Sequence, residues 1–333
     1  MTTAGPMQRA AALPRVDVSV LVPAKDEAGN LPLFLQLCDE AFREQNTRYE
    51  VIVVDDGSTD DTPQVLKQLG TKYPFLRSLR HRSQRGIADA LRSGFLAARS
   101  DIMVFYPADL QFKPEDIPRL VAPILAGTSD MVTGFKQGYY EKAFVSRIYN
   151  ALSRALFHIP VKDLNNVKAY RREIMDAQPV RPDWHRYMIV LAAAEGYTVT
   201  EIPVPVYPRH AGRSKFGISR IPIGVLDMVS VWFELKFAQK PLLAFGMLGA
   251  GLFAIGFIAG LVALSVYLVG GLGVRAVWTL IQTCLILGSV FFATGLLGEQ
   301  VAVLRAEQRE FRRLLDERHE RHERHERREP LDG

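Results

Sequence analysis

Cysteine is scarce in this chain of 333 residues: there are two, Cys38 and Cys284. Cys38 falls in a stretch of helical spacing and Cys284 inside an apolar run, so the chain carries neither a disulfide framework nor a cysteine-based metal site. Charge is also missing over long stretches. No residue from Pro241 to Val274 is ionisable as Asp, Glu, Lys or Arg, and after Arg275 the same holds from Ala276 to Gly298. The first fifteen residues, Met1 to Arg15, lack the apolar core of roughly 7–15 residues that a secretory signal needs, and they read as a disordered lead. A helix-opening Gly-x-Gly-x-x-Gly and a P-loop are both absent, which removes the two commonest glycine-rich phosphate cradles.

The missing charge has a direct meaning. A bilayer core takes about 20 apolar residues per helix, and both uncharged stretches are long enough. Gly246, Gly249, Gly256 and Gly260 fit close helix packing in lipid. The formal charge of +5 lies before the spans, where residues 1–240 hold 31 Lys+Arg against 26 Asp+Glu. Two spans put both flanking parts on one side of the membrane. The positive-inside tendency makes that side cytoplasmic and leaves the short turn Gly270–Arg275 outside. A basic surface beside a bilayer suits anionic lipid or a phosphorylated substrate. Nothing in the chain points to nucleic acid, and a homo-oligomer is left open.

Before the spans the pattern alternates strand and helix. Strands are predicted at Val16–Val22, Glu50–Val54, Phe75–Leu79, Ile102–Tyr106 and Met131–Gly134. Helices are predicted at Leu31–Phe42, Pro63–Tyr73, Ile87–Ala98, Glu115–Ala126, Lys142–His158 and Met188–Glu195. Val199–Val206 is a strand broken by prolines, hence an edge. This order favours a mostly parallel sheet in an α/β domain. Ile218–Phe237 mixes apolar patches with Arg220, Asp227, Glu234 and Lys236, as an interfacial amphipathic segment does. The Glu-Arg-His repeat of Glu317–Arg328 reads as a solvated tail of mixed charge.

Ligands of open α/β sheets gather at the carboxyl ends of strands. Three polar clusters fall there: Pro23-Ala-Lys25-Asp26-Glu27 with Asn30, Asp55-Asp56-Gly57-Ser58-Thr59-Asp60, and Pro107-Ala108-Asp109-Leu110-Gln111. A fourth, Arg209-His-Ala-Gly212-Arg213-Ser214-Lys215-Phe216, precedes the membrane segment. A carboxylate in the second cluster can accept ring N–H donors of a nucleobase. Asp109 and Gln111 offer hard oxygen ligands suited to Mg²⁺ or Mn²⁺ holding a diphosphate. Arg209 and Lys215 can neutralise the diphosphate as it leaves.

On these clusters, with Gly86-x-x-x-Ala90-x-x-x-Gly94 and Asp163…Arg171-Arg172, the chain resembles the family 2 glycosyltransferases. It is similar in particular to their polyprenyl-phosphate branch, the dolichyl-phosphate mannose synthases and bacterial undecaprenyl-phosphate hexose transferases. The resemblance runs from about Val16 to Leu304 and implies a GT-A-type nucleotide-sugar domain. It implies that Pro23, Lys25, Glu27, Val54 and Asp56 line the nucleoside, and that Ala108 and Asp109 face the diphosphate. Asp109 and Gln111 would bind the metal, and Arg209 and Lys215 would hold the diphosphate. Lys136 and Arg147 would meet the acceptor phosphate, and Asp163 would sit near the sugar. Asp109, Asp163, Arg209 and Lys215 form the expected catalytic set.

One position departs from the family's pattern. Where its metal motif has an acid two residues before Asp109, this chain has Pro107, which cannot ligate through its side chain. The implied reaction is inverting transfer of a hexose from a GDP- or UDP-sugar to a polyprenyl phosphate at the cytoplasmic (inner) membrane, with Mg²⁺ or Mn²⁺. A degenerate nucleotide- or lipid-binding scaffold without turnover is the alternative that Pro107 supports. A processive polysaccharide synthase would need a Gln-x-x-Arg-Trp motif and more spans. The expected organisation is a lead over 1–15, a catalytic domain over 16–215, and a juxtamembrane segment over 216–240. Spans over 241–270 and 276–298 and a charged tail over 299–333 complete it.

Overall fold

The computed structural model describes residues 16–138, 143–157, 161, 163, 164, 166–177, 187–211, 221–237, 240–270 and 275–326. The chain divides into two compact units, residues 1–228 and 229–333.

The first unit opens with β1 (Val18–Ala24), α1 (Leu31–Arg43), β2 (Tyr49–Asp55), α2 (Thr62–Lys72), β3 (Leu76–Arg80), α3 (Ile87–Ala97) and β4 (Ile102–Phe105). A 3-10 turn at Pro114–Asp116 leads into α4 (Ile117–Leu125). β5 (Met131–Gln137), α5 (Ala143–Phe157), β6 (Lys168–Arg171), α6 (Arg172–Ala177), α7 (Met188–Ala194) and β7 (Val199–Pro205) follow. The strands form one sheet in the order β3-β2-β1-β4-β6-β5-β7. Only β6 runs antiparallel to its neighbours, β4 on one side and β5 on the other. The proline-broken strand β7 lies at the edge as predicted, where a missing N–H costs no ladder bond.

β1 and β2 are nearly continuous runs of buried apolar side chains, which is what a parallel strand covered on both faces requires. Val20, Val22, Val51 and Val53 pack with Phe34, Leu35 and Cys38 of α1 in the main core. On the other face α3 approaches closely at Gly94, where an added Cβ would sit 3.3 Å from Leu21 and 3.4 Å from Val54. The sheet thus holds the ends of β1, β2 and β4 side by side at one edge.

The residue pattern does not predict β6. Its four residues, Lys-Ala-Tyr-Arg, neither alternate cleanly nor form an apolar run. Lys168 is 1% exposed, and its ammonium donates to the Leu164 carbonyl at 3.2 Å.

Helix α8 (Ile221–Phe237) crosses from one unit into the other. Within the second unit, α9 (Pro241–Gly270) and α10 (Arg275–Glu326) form a helical hairpin. Both contain stretches long and apolar enough to cross a membrane, Pro241–Val269 and Val277–Gln308. α10 continues unbroken to Glu326, so the charged tail extends the second span as one helix. The two helices meet at glycines: a Cβ on Gly249 would lie 2.7 Å from the Gly288 carbonyl oxygen. The Leu242 N–H donates to Glu299 at 3.3 Å, and Arg305 pairs with Glu234 of α8 at 3.0 Å.

Candidate active site

The loops after β1 and β2 are stitched together by their own polar side chains. Ser58 accepts the Asp26 N–H at 2.9 Å, Thr62 accepts the Glu27 N–H at 2.9 Å, and Asp60 accepts the Ala28 N–H at 3.3 Å. In return Asp26 accepts the Thr59 N–H at 2.8 Å. The Lys25 ammonium donates to the Gly57 carbonyl at 2.6 Å. Hydroxyls and short carboxylates favour such loop-to-backbone bonds, so most of the polar residues in this turn build the wall. Glu27 accepts from the Asn30 amide at 2.5 Å at the start of α1.

Gly57 is fixed by geometry. Its φ is +68°, and a Cβ there would sit 2.7 Å from the Ser83 carbonyl carbon. Only glycine combines that backbone with so close a neighbour. The neighbour is the loop between β3 and α3, which brings its amides to Asp56. The Arg85 and Gly86 N–H groups each donate to the Asp56 carboxylate at 2.8 Å. His81 Nδ1 lies 2.8 Å from the same carboxylate, and its Nε2 lies 2.9 Å from Ser93 Oγ on α3. Burial pushes the Asp56 carboxyl upward, but the Arg85 N–H, the His81 ring and the Gly86 N–H outweigh it and hold the pKa below the ordinary aspartate value.

Asp55 faces a different set. One oxygen accepts the Ser58 N–H at 2.8 Å. The other, buried, lies 3.3 Å from the Arg80 guanidinium without hydrogen-bond alignment. Among the expected nucleoside residues, Pro23 is half-buried and Lys25 and Glu27 line the β1 loop. Val54 is 1% exposed beneath them.

The β4 exit carries the residues expected at the diphosphate. Asp109 pairs with the Arg209 guanidinium at 2.8 Å. The same guanidinium lies 3.4 Å from the Gln111 side-chain oxygen. The segment after β7 is pinned to this loop by its backbone, with the Tyr207 N–H donating to the Gln111 carbonyl at 3.0 Å and the His210 N–H reaching the Asp109 carbonyl at 3.5 Å. Leu110 between the two expected ligands has φ of +58°, a conformation uncommon for a residue with a branched side chain. The turn brings Asp109 and Gln111 to the same guanidinium nitrogen of Arg209. Ala108 is buried beside them.

Lys136 at the end of β5 and Asp163 pair with each other at 3.2 Å, so the expected acceptor cation and the expected acid near the sugar occupy one place. Arg147 lies on α5 with its side chain outside the described residues, and Lys215 is also outside them.

For Mg²⁺ or Mn²⁺ the residues present offer one carboxylate, Asp109, and one amide oxygen, Gln111. Among the described residues no group of three His, Cys, Asp or Glu is gathered for a metal. Mg²⁺-type sites commonly use one or two carboxylates plus substrate phosphates. The donor set therefore fits a cation whose coordination a diphosphate completes.

His81, Ser93 and the Arg85–Gly86 amides escaped the sequence reading. The available signal was position: His81 directly follows a parallel strand, where the same strand-end rule points.

Residues 19–179 match the description Glycosyl transferase family 2. Over nearly its whole length the chain is similar to the undecaprenyl-phosphate 4-deoxy-4-formamido-L-arabinose transferase of Pseudomonas fluorescens (strain Pf0-1), 28% identical over 90% of this chain and 89% of that protein. It is likewise 28% identical to the dodecaprenyl-phosphate galacturonate synthase of Rhizobium johnstonii, over 86% of this chain and 88% of the relative. Among solved structures, glucosyl-3-phosphoglycerate synthase from Mycobacterium tuberculosis, in complex with Mn²⁺, uridine diphosphate and phosphoglyceric acid, superposes with a TM-score of 0.54 at 20% identity. That likeness covers 66% of this chain and 78% of the other, and it speaks for the fold. Residues 19–179 are thus a glycosyltransferase family 2 domain of GT-A-like architecture.

Proposed function

We propose that the protein transfers a sugar from a nucleoside diphosphate sugar to a polyprenyl phosphate at the membrane, with inversion. The observation that carries this reading is the meeting of Asp109, Gln111 and Arg209 beside the β1 and β2 loops, in a chain that also has two helices of membrane length. The relatives named above are transferases and a synthase of polyprenyl-phosphate sugars, which supports the acceptor. Large apolar side chains stand exposed along both helices, Leu268 at 74% and Leu297 at 69%. Surface of that kind is covered by lipid or protein. The basic balance before the spans favours a catalytic unit on the cytoplasmic face.

The acceptor is already an oxyanion, so the reaction needs little general base. A phosphate oxygen attacks the anomeric carbon while its bond to the nucleoside diphosphate breaks, and the electron pair leaves with the diphosphate. Catalysis rests on in-line positioning and on stabilising that leaving charge. Arg209 is placed to meet it with a guanidinium fork suited to phosphate. Asp109 and Gln111 would hold Mg²⁺ or Mn²⁺, which supplies further charge neutralisation at the diphosphate when bound. Asp56, already taking three hydrogen bonds from the chain, orders the Arg85–Gly86 loop around the nucleoside. Its carboxylate keeps capacity for one ring N–H, since a carboxylate has about four acceptor positions. Lys136 is the cation proposed for the acceptor phosphate, held by Asp163 until that phosphate arrives. A UDP-sugar is the favoured donor because the fold neighbour named above holds uridine diphosphate. The sugar class extends beyond neutral hexoses, since the relatives are named for a modified arabinose and for galacturonate.

The test is incubation of purified protein, Mn²⁺ and polyprenyl phosphate with labelled UDP- or GDP-sugars, followed by extraction into organic solvent. Label in the lipid phase that depends on the lipid phosphate is expected. Nucleotide-sugar binding with no transfer from any donor would reject the reading.

A further inference from the structure

Arg209 contacts both side chains that the donor-site reading assigns to a cation. Its guanidinium lies 2.8 Å from Asp109 and 3.4 Å from the Gln111 side-chain oxygen. The pair is sheltered, with Arg209 and Asp109 side chains 23% and 13% exposed. The arginine is held there by the backbone bonds that tie residues 207 and 210 to residues 111 and 109. Position 107, where the resembled family carries an acid, is proline and offers no second carboxylate to a cation while Asp109 is engaged.

We propose that Arg209 acts as an internal counter-ion that keeps the divalent cation out of the site until a nucleoside diphosphate is bound. This rests on the donor-site reading above. A cation approaching the nucleotide-free site must separate Asp109 from Arg209 and then sit beside the displaced positive charge. Both steps are unfavourable in a partly desolvated place. A diphosphate reverses the balance. Its oxygens offer the guanidinium a bidentate partner, Asp109 is released towards the cation, and the phosphates complete the coordination. Cation and nucleotide then bind cooperatively, each strengthening the other by the same factor. One part of the cooperativity is the diphosphate's own ligation of the cation; the part proposed here resides in one side chain that exchanges partners.

The experiment reads free Mn²⁺ by its electron paramagnetic resonance signal, using the full chain in detergent, with and without saturating UDP or GDP. Wild type should bind Mn²⁺ at least roughly tenfold more tightly with the nucleotide than without it, the scale of one charge-assisted hydrogen bond. Arg209→Gln should bind Mn²⁺ alone roughly tenfold more tightly than wild type, so that the nucleotide effect shrinks by about that factor. Pro107→Asp, which leaves Arg209 in place, should also gain Mn²⁺ binding without nucleotide, and it carries the test if the first variant does not fold. Equal Mn²⁺ affinity of wild type with and without nucleotide overturns the proposal while leaving the metal-bearing donor site intact. The same holds if neither variant that folds gains affinity for Mn²⁺ alone. Absence of Mn²⁺ binding under every condition overturns the donor-site metal itself, and the proposal with it.

Discussion

Asp56 and Asp109 are both carboxylates at strand ends, but their surroundings give them different work. Asp56 is held by the Arg85 and Gly86 amides and by His81, and its pKa lies below the ordinary value. A depressed carboxyl contributes stability that is present above the unfolded pKa, about 3.9, and is lost as pH falls through the folded one. Thermal midpoints of wild type should therefore decline as pH drops below about 4, and Asp56→Asn should decline less steeply over that window. Parallel declines would remove Asp56 as a source of the acid sensitivity. Glu50 adds to the same background. Burial raises its pKa, but Ser19, Arg77 and the Arg99 backbone and side chain hold it low. Asp109 is the carboxylate proposed to face the leaving diphosphate instead. Asp109→Asn keeps the shape and the bond to the Gln111 N–H but loses the charge, and kcat should fall by at least ~100-fold, the scale of a lost electrostatic contact at developing charge. Steady-state kinetics with unchanged kcat would take Asp109 out of the site.

At the scale of elements, the loops carry more of the site's order than the strands do. Gly57→Ala must strain a left-handed backbone and push the β3–α3 loop away. A loss of about 1–3 kcal/mol is expected from such strain, seen as a lower thermal midpoint together with a raised donor KM. A variant with unchanged midpoint and KM would contradict the loop-on-loop packing. In the second unit, Gly249→Leu should separate α9 from α10, because the Gly288 carbonyl occupies the space a side chain needs. Cross-linking between cysteines placed across the two helices should fall in that variant. An unchanged yield would mean that the hairpin does not depend on this close approach. The parallel strands β1, β2 and β4 were legible in the sequence because each is a short apolar run ending in a turn. β6 was not, because a buried lysine interrupts its pattern and is tolerated only through a carbonyl brought by the fold. The stitching of the β1 and β2 loops was equally hidden. Ser58, Thr59 and Asp60 look like ligand groups until their partners, Ala28 and its neighbours, are seen across the site.

For the whole molecule, the sequence implies that Asp109 and Arg209 serve one diphosphate but carries no sign that they pair with each other. Nor could it tell that Lys136 and Asp163 would neutralise one another. Those contacts join segments about 100 and about 30 residues apart, and only the sheet order brings them together. The central claim is that this catalytic unit moves a sugar onto a lipid phosphate. Its most direct measurement is the lipid-phase yield of labelled sugar from a nucleoside diphosphate donor, compared between wild type and Asp109→Asn and with and without polyprenyl phosphate. The account predicts labelled lipid only when wild-type protein and the lipid phosphate are both present. Label released as free sugar regardless of the lipid, or equal lipid-phase yield from Asp109→Asn, would contradict it.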